Sequence, residues 1–397
     1  MRHLAGLVFF DTAGNFPSGG SRPLSVIAAN PLRVLRGNVH ISANLEILRA
    51  ALAAGPKRTG DHGFPVGGLC GWIDYEGGFV FGDYPEMLVY SHHDQTWWET
   101  GQLSEQLHTT TGTAQIGGFS PLTARSQFIA GVARIKDWIA AGHIYQANLS
   151  QGFVATVTGD LFSLYETLRD ASPAPMAAYL KLDGREILSS SPESFLKISG
   201  RGIETRPIKG TRPRFPDPDE DRRSAYELQT SAKEIAELVM ITDLLRNDLG
   251  QVCEFGSVEV TDMLRLETLA QVHHLVSTVT GILRPEVDAI AALAACFPGG
   301  SITGAPKKRA MEIIRELEQA PRGIYCGAIG WLGYNGESSF NIAIRTLVRS
   351  GDQLVYQVGA GIVADSDPEK EYEETLHKAA GIRLAIERWQ NQTLSAP

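Results

Sequence analysis

Cysteine is scarce in this sequence: Cys70, Cys253, Cys296 and Cys326 are the four in 397 residues, far apart and without a CxxC pair. That excludes a disulfide-stapled scaffold and a cysteine-ligated zinc site, and it fits a reducing, cytoplasmic compartment. Long apolar runs are missing too. No stretch approaches the roughly 18 residues that a membrane-spanning helix needs. The opening MRHLAGLVFF is cut off by Asp11, which suits a first β-strand better than a signal peptide. Basic residues are outnumbered, 36 Lys and Arg against 45 Asp and Glu, and the net charge of −9 argues against nucleic acid or an anionic membrane as the main partner. A small anionic substrate would then need a local basic pocket. What the chain does have is 43% hydrophobic residues, enough for one large or two intimately joined globular domains.

Residues 1–120 are rich in Gly, Thr and short apolar runs (GLVFF, GWIDYEGGFVF, EMLVYS) and read as a β-rich N-terminal region. GTAQIGGFSPLT is the linker candidate. A second unit, 121–391, starts with QFIAGVARIKDWIAAG, whose apolar residues at 128, 129, 132, 135, 138 and 139 form a helical stripe ending at Gly142. A long helix is expected from about Ser231 to Leu249. Beyond it, GIYCGAIGWLGYNGESSFNIAIRTLVRSGDQLVYQVGAGIV reads as an antiparallel meander with Asn335-Gly336 and Gly351-Asp352 as its bends. A final helix should begin near Ser366 or Asp367, where Pro368 suits the first turn, and run to about Gln390.

Several segments carry chemical potential. RPIKGTRPR (206–214) puts Lys209 in a proline-bounded turn between Arg206 and Arg212; like charges and desolvation would lower a lysine pKa from about 10.4 and make the amine a nucleophile. The alternative is a solvated basic loop. Glu234 and Glu237 share one helix face, and Glu371, Glu374 and Lys378 share another. If those helices lie side by side, four carboxylates converge, and oxygen donors without His or Cys suit Mg²⁺; solvated glutamates are the alternative. PGGSITGAPKKRAMEII has the glycine spacing of a phosphate loop at Gly299 and Gly304, but Ala305-Pro306 intervene before Lys307 where a Walker loop needs Lys then Ser/Thr. What remains is an anion-binding turn with the Thr303 hydroxyl beside it. GAGIV from Gly359 is a second such loop, with Arg345 on a preceding strand as a carboxylate clamp. GGLCGW around Cys70 lacks the context of a glutaminase nucleophile, which leaves a buried small hydrophobe. Of His273 and His274, one reads as a core histidine and one as an acid/base.

Taken together, IYQANLSQ, SSSPESF, RPIKGTRPR, KEIAELVMITDLLRNDLG, QVHHLVS, PGGSITGAPKKRAMEII, FNIAIRT and GAGIVADSDPEKEYEETLHKA resemble, in this order and from about 121 to 388, the successive motifs of the chorismate-utilising enzymes. That family comprises anthranilate synthase component I, aminodeoxychorismate synthase component I, and the isochorismate and salicylate synthases. The resemblance implies an α+β fold, a layered β-sandwich of antiparallel sheets flanked by helices. It also implies Mg²⁺ held by Glu237 and Glu374, with Glu234 and Glu371 as outer or water-mediated ligands. Arg345, the Gly359-Ala360-Gly361 backbone and Lys378 would receive the substrate's carboxylates, and Thr303 would lie against the ring.

Two positions separate the branches. The position matching the water-activating lysine of the isochorismate and salicylate branch is Gln146, which has no basic lone pair at neutral pH, so ammonia is the expected nucleophile. Lys209 stands where anthranilate synthases carry alanine and where the aminodeoxychorismate branch carries its lysine. The resemblance therefore implies a covalent Lys209 intermediate on the way from chorismate to 4-amino-4-deoxychorismate, for p-aminobenzoate and folate synthesis. Glu193 would be the acid that protonates the departing hydroxyl, and His274 matches a histidine tied to pyruvate loss. No glutaminase motif is visible, so a separate glutamine amidotransferase subunit would deliver ammonia. The alternatives are an anthranilate synthase component I and a non-catalytic chorismate-binding regulatory protein.

Overall fold

Val272–Ile282 is buried along almost its whole length, so this strand has protein on both faces and its burial shows no alternation. Gln146–Gly159 is buried on both faces over its first half and alternates towards its end, where one face meets solvent. These two strands belong to the two sheets that build the molecule. The computed structural model describes residues 1–12, 23–56, 63–108, 112–269 and 272–394.

Among the described residues the larger sheet has twelve strands and the smaller ten, and their pairings are antiparallel. Strands from the first 120 residues join both. Val8–Asp11 pairs with Met176–Leu182 in the larger sheet, and Gly68–Ile73 pairs with Ala328–Gly333 in the smaller one. The sheets face each other across Val8, Val26, Trp72, Tyr84, Leu180 and Ile329. Helices close the outside. Tyr165, Leu168, Ile382 and Trp389 pack on the larger sheet, and Leu48, Leu249, Ile290 and Leu293 on the smaller. This is the expected α+β layered sandwich.

Local differences from the sequence reading have physical causes. The linker candidate supplies two short strands, Ala114–Ile116 and Ser120–Pro121, because their backbone groups find partners on the Gln146–Gly159 strand. The last helix is two, Pro368–Lys378 and Ala380–Leu394, with a break at Ala379. Gly381 lets the second segment close on Ser172, whose hydroxyl would stand 2.9 Å from a Cβ at that position. The meander forms as expected, with Gly336 at φ +83° and Gly351 at φ +63°, a region open to glycine. Cys70 is fully buried in Gly68–Ile73. No described helix is long and apolar enough to cross a membrane.

Candidate active site

Lys209 lies not in a turn but in a strand, Ile208–Pro213, paired with Val272–Ile282. The register slips between Lys209 and Thr211, so Gly210 is a β-bulge with φ +76°. A side chain there would meet Leu228 at 2.7 Å and Glu234 at 3.1 Å. The bulge turns Lys209 towards the neighbouring helix: its Nζ stands 4.0 Å from Glu237 Oε2. Arg206 and Arg212 do not crowd it as the sequence reading supposed, because each is paired elsewhere, Arg206 with Glu267 and Arg212 with Glu234 at 3.6 Å.

His274 lies opposite Thr211 in the same ladder, buried. Its Nδ1 is 3.0 Å from Thr211 Oγ1 and 3.3 Å from the Gly210 carbonyl, which can only accept. That assigns the proton to Nδ1 and leaves Nε2 as a buried lone pair without a partner. Burial, with Arg345 nearby, pushes the ring down to about 4, so it is neutral at pH 7. His273 points the other way, Nε2 3.0 Å from Asp221, as a core histidine.

Glu193 sits in the tight link between Arg185–Ser191 and Ser194–Ser199. Its carbonyl accepts from Ile342 N at 3.0 Å and its own N–H donates to Ser191 Oγ at 3.3 Å. The carboxyl is buried, and burial pushes it up to about 7 against the opposing pull of the Ser301 hydroxyl, Lys209, the Ile208 N–H and Arg345. At neutral pH it can hold a proton and give it away.

Gly359-Ala360-Gly361 also differs from the expected loop. It is strand, in Gln353–Ile362, paired with Ser150, Leu149 and Asn148. Its glycines form a smooth floor: a Cβ at Gly361 would lie 2.2 Å from Gln146 Nε2 and 3.5 Å from Lys209 Nζ, and one at Gly359 would lie 2.9 Å from the Tyr325 hydroxyl. Gln146 itself is buried, and its Oε1 has no partner. Arg345 is not on a strand but in the link before Thr346–Ser350, at φ +50°, with its carbonyl accepting from Ser190 N at 3.0 Å. Burial lowers its pKa, opposed by Glu193. Thr303 is fully buried, and its hydroxyl is committed to its own turn, 3.1 Å from the Gly299 carbonyl and 3.2 Å from that of Gly300. The helix Lys307–Leu317 follows, with Pro306 as its N-cap.

The two glutamate helices, Ala232–Gly250 and Pro368–Lys378, are bridged at this cleft by Lys233, 4.0 Å from Glu237 and 3.7 Å from Glu371. Burial raises Glu237, and Glu234 and Glu374 add to the rise while Lys209 and Lys233 oppose it. Burial would raise Glu374 as well, but Lys378 at 2.8 Å, Lys233 and Lys209 together hold it low. Glu371 is buried and accepts from Ser366 Oγ at 2.6 Å. Lys378 also donates to the Gly359 carbonyl at 3.0 Å. Among the described residues no three His, Cys, Asp or Glu side chains converge closely enough to hold a metal ion by themselves. Mg²⁺, however, takes one or two carboxylates and keeps waters for the rest of its shell. Two carboxylates from different helices, the partly buried Glu237 and the half-exposed Glu374, fit that requirement.

Sequence reasoning missed two features here. Arg322 and Glu318 form a buried bidentate pair, 2.8 Å in both contacts. Arg322 also donates to the Ile302 carbonyl at 3.0 Å and the Asn148 carbonyl at 2.6 Å, tying the Gly-rich turn to the Gln146 strand. Lys233 lies between the two acidic helices, 4.0 Å from Glu237 and 3.7 Å from Glu371. The segment PRGIYCG, read only from Gly323 and only as the head of the meander, carries both Arg322 and Tyr325 and was the available signal. A cavity of about 150 Å³ lies between the sheets next to the site, with His274, Ile208, Met176 and Asn341 in its wall.

A lysine, a buried carboxyl raised towards neutrality, an arginine and several glutamates thus share one cleft. The family model for chorismate binding enzymes matches residues 61–383. The chain belongs to that family. Anthranilate synthase component 1 of Methanothermobacter thermautotrophicus is 40% identical over 351 residues, 81% of this chain and 74% of that one. Aminodeoxychorismate synthase component 1 of Escherichia coli is 44% identical over 302 residues, 75% of this chain and 66% of that one. The crystal structure of anthranilate synthase component I from Streptococcus pneumoniae superimposes with a TM-score of 0.81 at 30% identity, covering 93% of this chain and 94% of that one. The chain is therefore a chorismate-utilising enzyme of the component I type, with relatives of both names at similar distance.

Proposed function

We propose that this enzyme is an aminodeoxychorismate synthase component I, converting chorismate and ammonia to 4-amino-4-deoxychorismate and water, with p-aminobenzoate and folate synthesis as its setting. The observation that carries the reading is Lys209, whose Nζ reaches the cleft floor at Gly361 beside Gln146 and Glu237, with Glu193 within electrostatic reach. In this reading Lys209 gives up its proton when substrate binds, and its amine attacks C2 of the ring. The two ring double bonds shift, and the C4 oxygen leaves as water with the proton of Glu193. Ammonia then adds at C4, the double bonds shift back, and the C2–N bond to Lys209 breaks, returning the amine. Arg345, Lys378 and the 359–361 backbone orient the carboxylates, and Gln146, which cannot act as a base, does not favour water as a competing nucleophile.

Mg²⁺ would be held by Glu237 and Glu374, with Glu234 and Glu371 behind them, and would supply charge neutralisation for a substrate carboxylate. Ammonia would come from a separate glutamine amidotransferase subunit, and the cytoplasm is the expected compartment. The second reading, anthranilate synthase component I, is favoured by one feature: the neutral His274 with its free Nε2, a base suited to aiding pyruvate loss. Product analysis separates the two. Purified protein is given chorismate, Mg²⁺ and ammonium, as wild type and as Lys209→Ala, with mass detection and coupling to an aminodeoxychorismate lyase. Aminodeoxychorismate from the wild type and its loss in the variant are expected; anthranilate from the wild type would favour the second reading.

A further inference from the structure

The four carboxylates of the cleft are matched one for one. Arg212 stands 3.6 Å from Glu234, Lys209 4.0 Å from Glu237, Lys233 3.7 Å from Glu371 and Lys378 2.8 Å from Glu374. The cluster is thus charge-balanced as it stands, and a divalent cation entering it meets no net negative field unless one of the cations withdraws or an anion arrives with it. The four cations differ in how firmly they are held. Arg212 also donates to the Thr211 carbonyl at 3.0 Å, Lys378 to that of Gly359 at 3.0 Å, and Lys209 is only 16% exposed. Lys233 is 49% exposed, sits in the first turn of its helix, and meets its carboxylates at 3.7 and 4.0 Å, beyond hydrogen-bond range. It is also the cation that touches both helices, Glu237 on its own and Glu371 on the other.

We propose that Lys233 is a built-in counter-cation: it holds the glutamates of the two helices together before metal arrives, and it competes with a divalent cation for them. The inference rests on the reading of Glu237 and Glu374 as the metal ligands. Removing the ammonium has two opposite effects. The metal-free protein loses the contact that offsets repulsion between the helices, and the carboxylates become a stronger trap for a cation.

Mn²⁺ serves as the probe, with free Mn²⁺ followed by electron paramagnetic resonance on the full chain in the absence of substrate. Lys233→Met should bind Mn²⁺ about two- to fivefold more tightly than wild type, the range expected for loss of one partly exposed competing charge. Lys233→Arg, which keeps the charge, should stay near wild type. In chelator the melting temperature of Lys233→Met should fall below that of wild type, and saturating Mn²⁺ should raise it by more. Equal or weaker Mn²⁺ binding by Lys233→Met, together with loss of binding in Glu237→Gln, would overturn the competition and leave the metal ligands standing. Binding that is indifferent to Glu237→Gln, or none in any of these proteins, would overturn the ligand assignment and the proposal with it.

Discussion

Lys209 Nζ and Glu237 Oε2 stand 4.0 Å apart, so the proposed nucleophile rests against the carboxylate proposed to hold the metal. Glu237→Gln should therefore damage two functions at once. Amination should fall at least about 100-fold, and what remains should no longer respond to Mg²⁺. In the wild type, chelator should abolish turnover and added Mg²⁺ should restore it. A Mg²⁺ titration of initial rates, wild type against variant, checks both.

Glu193 must carry a proton to act as an acid, and its carboxyl is pushed up to about 7. The rate at constant free ammonia should fall as pH rises through that value. Glu193→Gln should lose this limb along with a factor of roughly 10²–10⁴ in kcat. Rate against pH for the two proteins is the measurement.

Glu193 and His274, both buried, give opposite slopes in stability. Glu193 is raised from 4.5 to about 7, so between those values the folded state keeps a proton the unfolded state has released, and stability falls as pH rises. His274 is lowered from 6.5 to about 4, so the unfolded state binds the extra proton there and stability is lost as pH falls. Each contribution is about 3 kcal/mol over its window. Relative to wild type, Glu193→Gln should become more stable as pH rises from 4.5 to 7, and His274→Gln more stable as it falls from 6.5 to 4. Urea unfolding across that range checks the signs.

Periodicity and turn chemistry made the glutamate helix Ala232–Gly250, the hairpin at Asn335-Gly336 and the start at Pro368 legible in the sequence, because each is decided by neighbouring residues. Lys209 read as a turn because Pro207, Gly210 and Pro213 are turn formers, yet at this position the ladder with Val272–Ile282 absorbs the glycine as a bulge. Gly359–Gly361 read as a loop for a similar reason and is strand. Arg322 and Glu318 are four residues apart, but the carbonyls that give their pair its place, those of Asn148 and Ile302, are remote in sequence. Non-local pairing is the kind of fact a local pattern does not carry.

Gly361 tests whether the glycine floor is needed for its missing side chain. A Cβ there would lie 2.2 Å from Gln146 Nε2, far inside contact distance, and 3.5 Å from Lys209 Nζ. Gly361→Ala should cut activity by at least about tenfold, the scale expected when a reacting group is misplaced by a fraction of an ångström. Trimming the obstructing amide should recover part of it, so Gly361→Ala in a Gln146→Ala background should lose less. Initial rates for the four proteins of that cycle give the coupling.

Arg322 offers a test of the frame rather than the chemistry. Its guanidinium is buried, paired to Glu318 and stacked 4.5 Å from the centre of the Tyr75 ring. Glu318 also accepts from Ser150 N at 2.8 Å and Ser150 Oγ at 2.9 Å, so the pair ties one point on the Gln146 strand to the Gly-rich turn. Arg322→Met removes the cation and leaves a buried carboxylate with two neutral donors, which should cost about 3–5 kcal/mol in unfolding free energy. Arg322→Met with Glu318→Leu should cost less than Arg322→Met alone, since no charge is then left unpaired. A double variant as unstable as the single one would mean that the hydrogen bonds to the Ile302 and Asn148 carbonyls, and not the ion pair, hold this part of the site together.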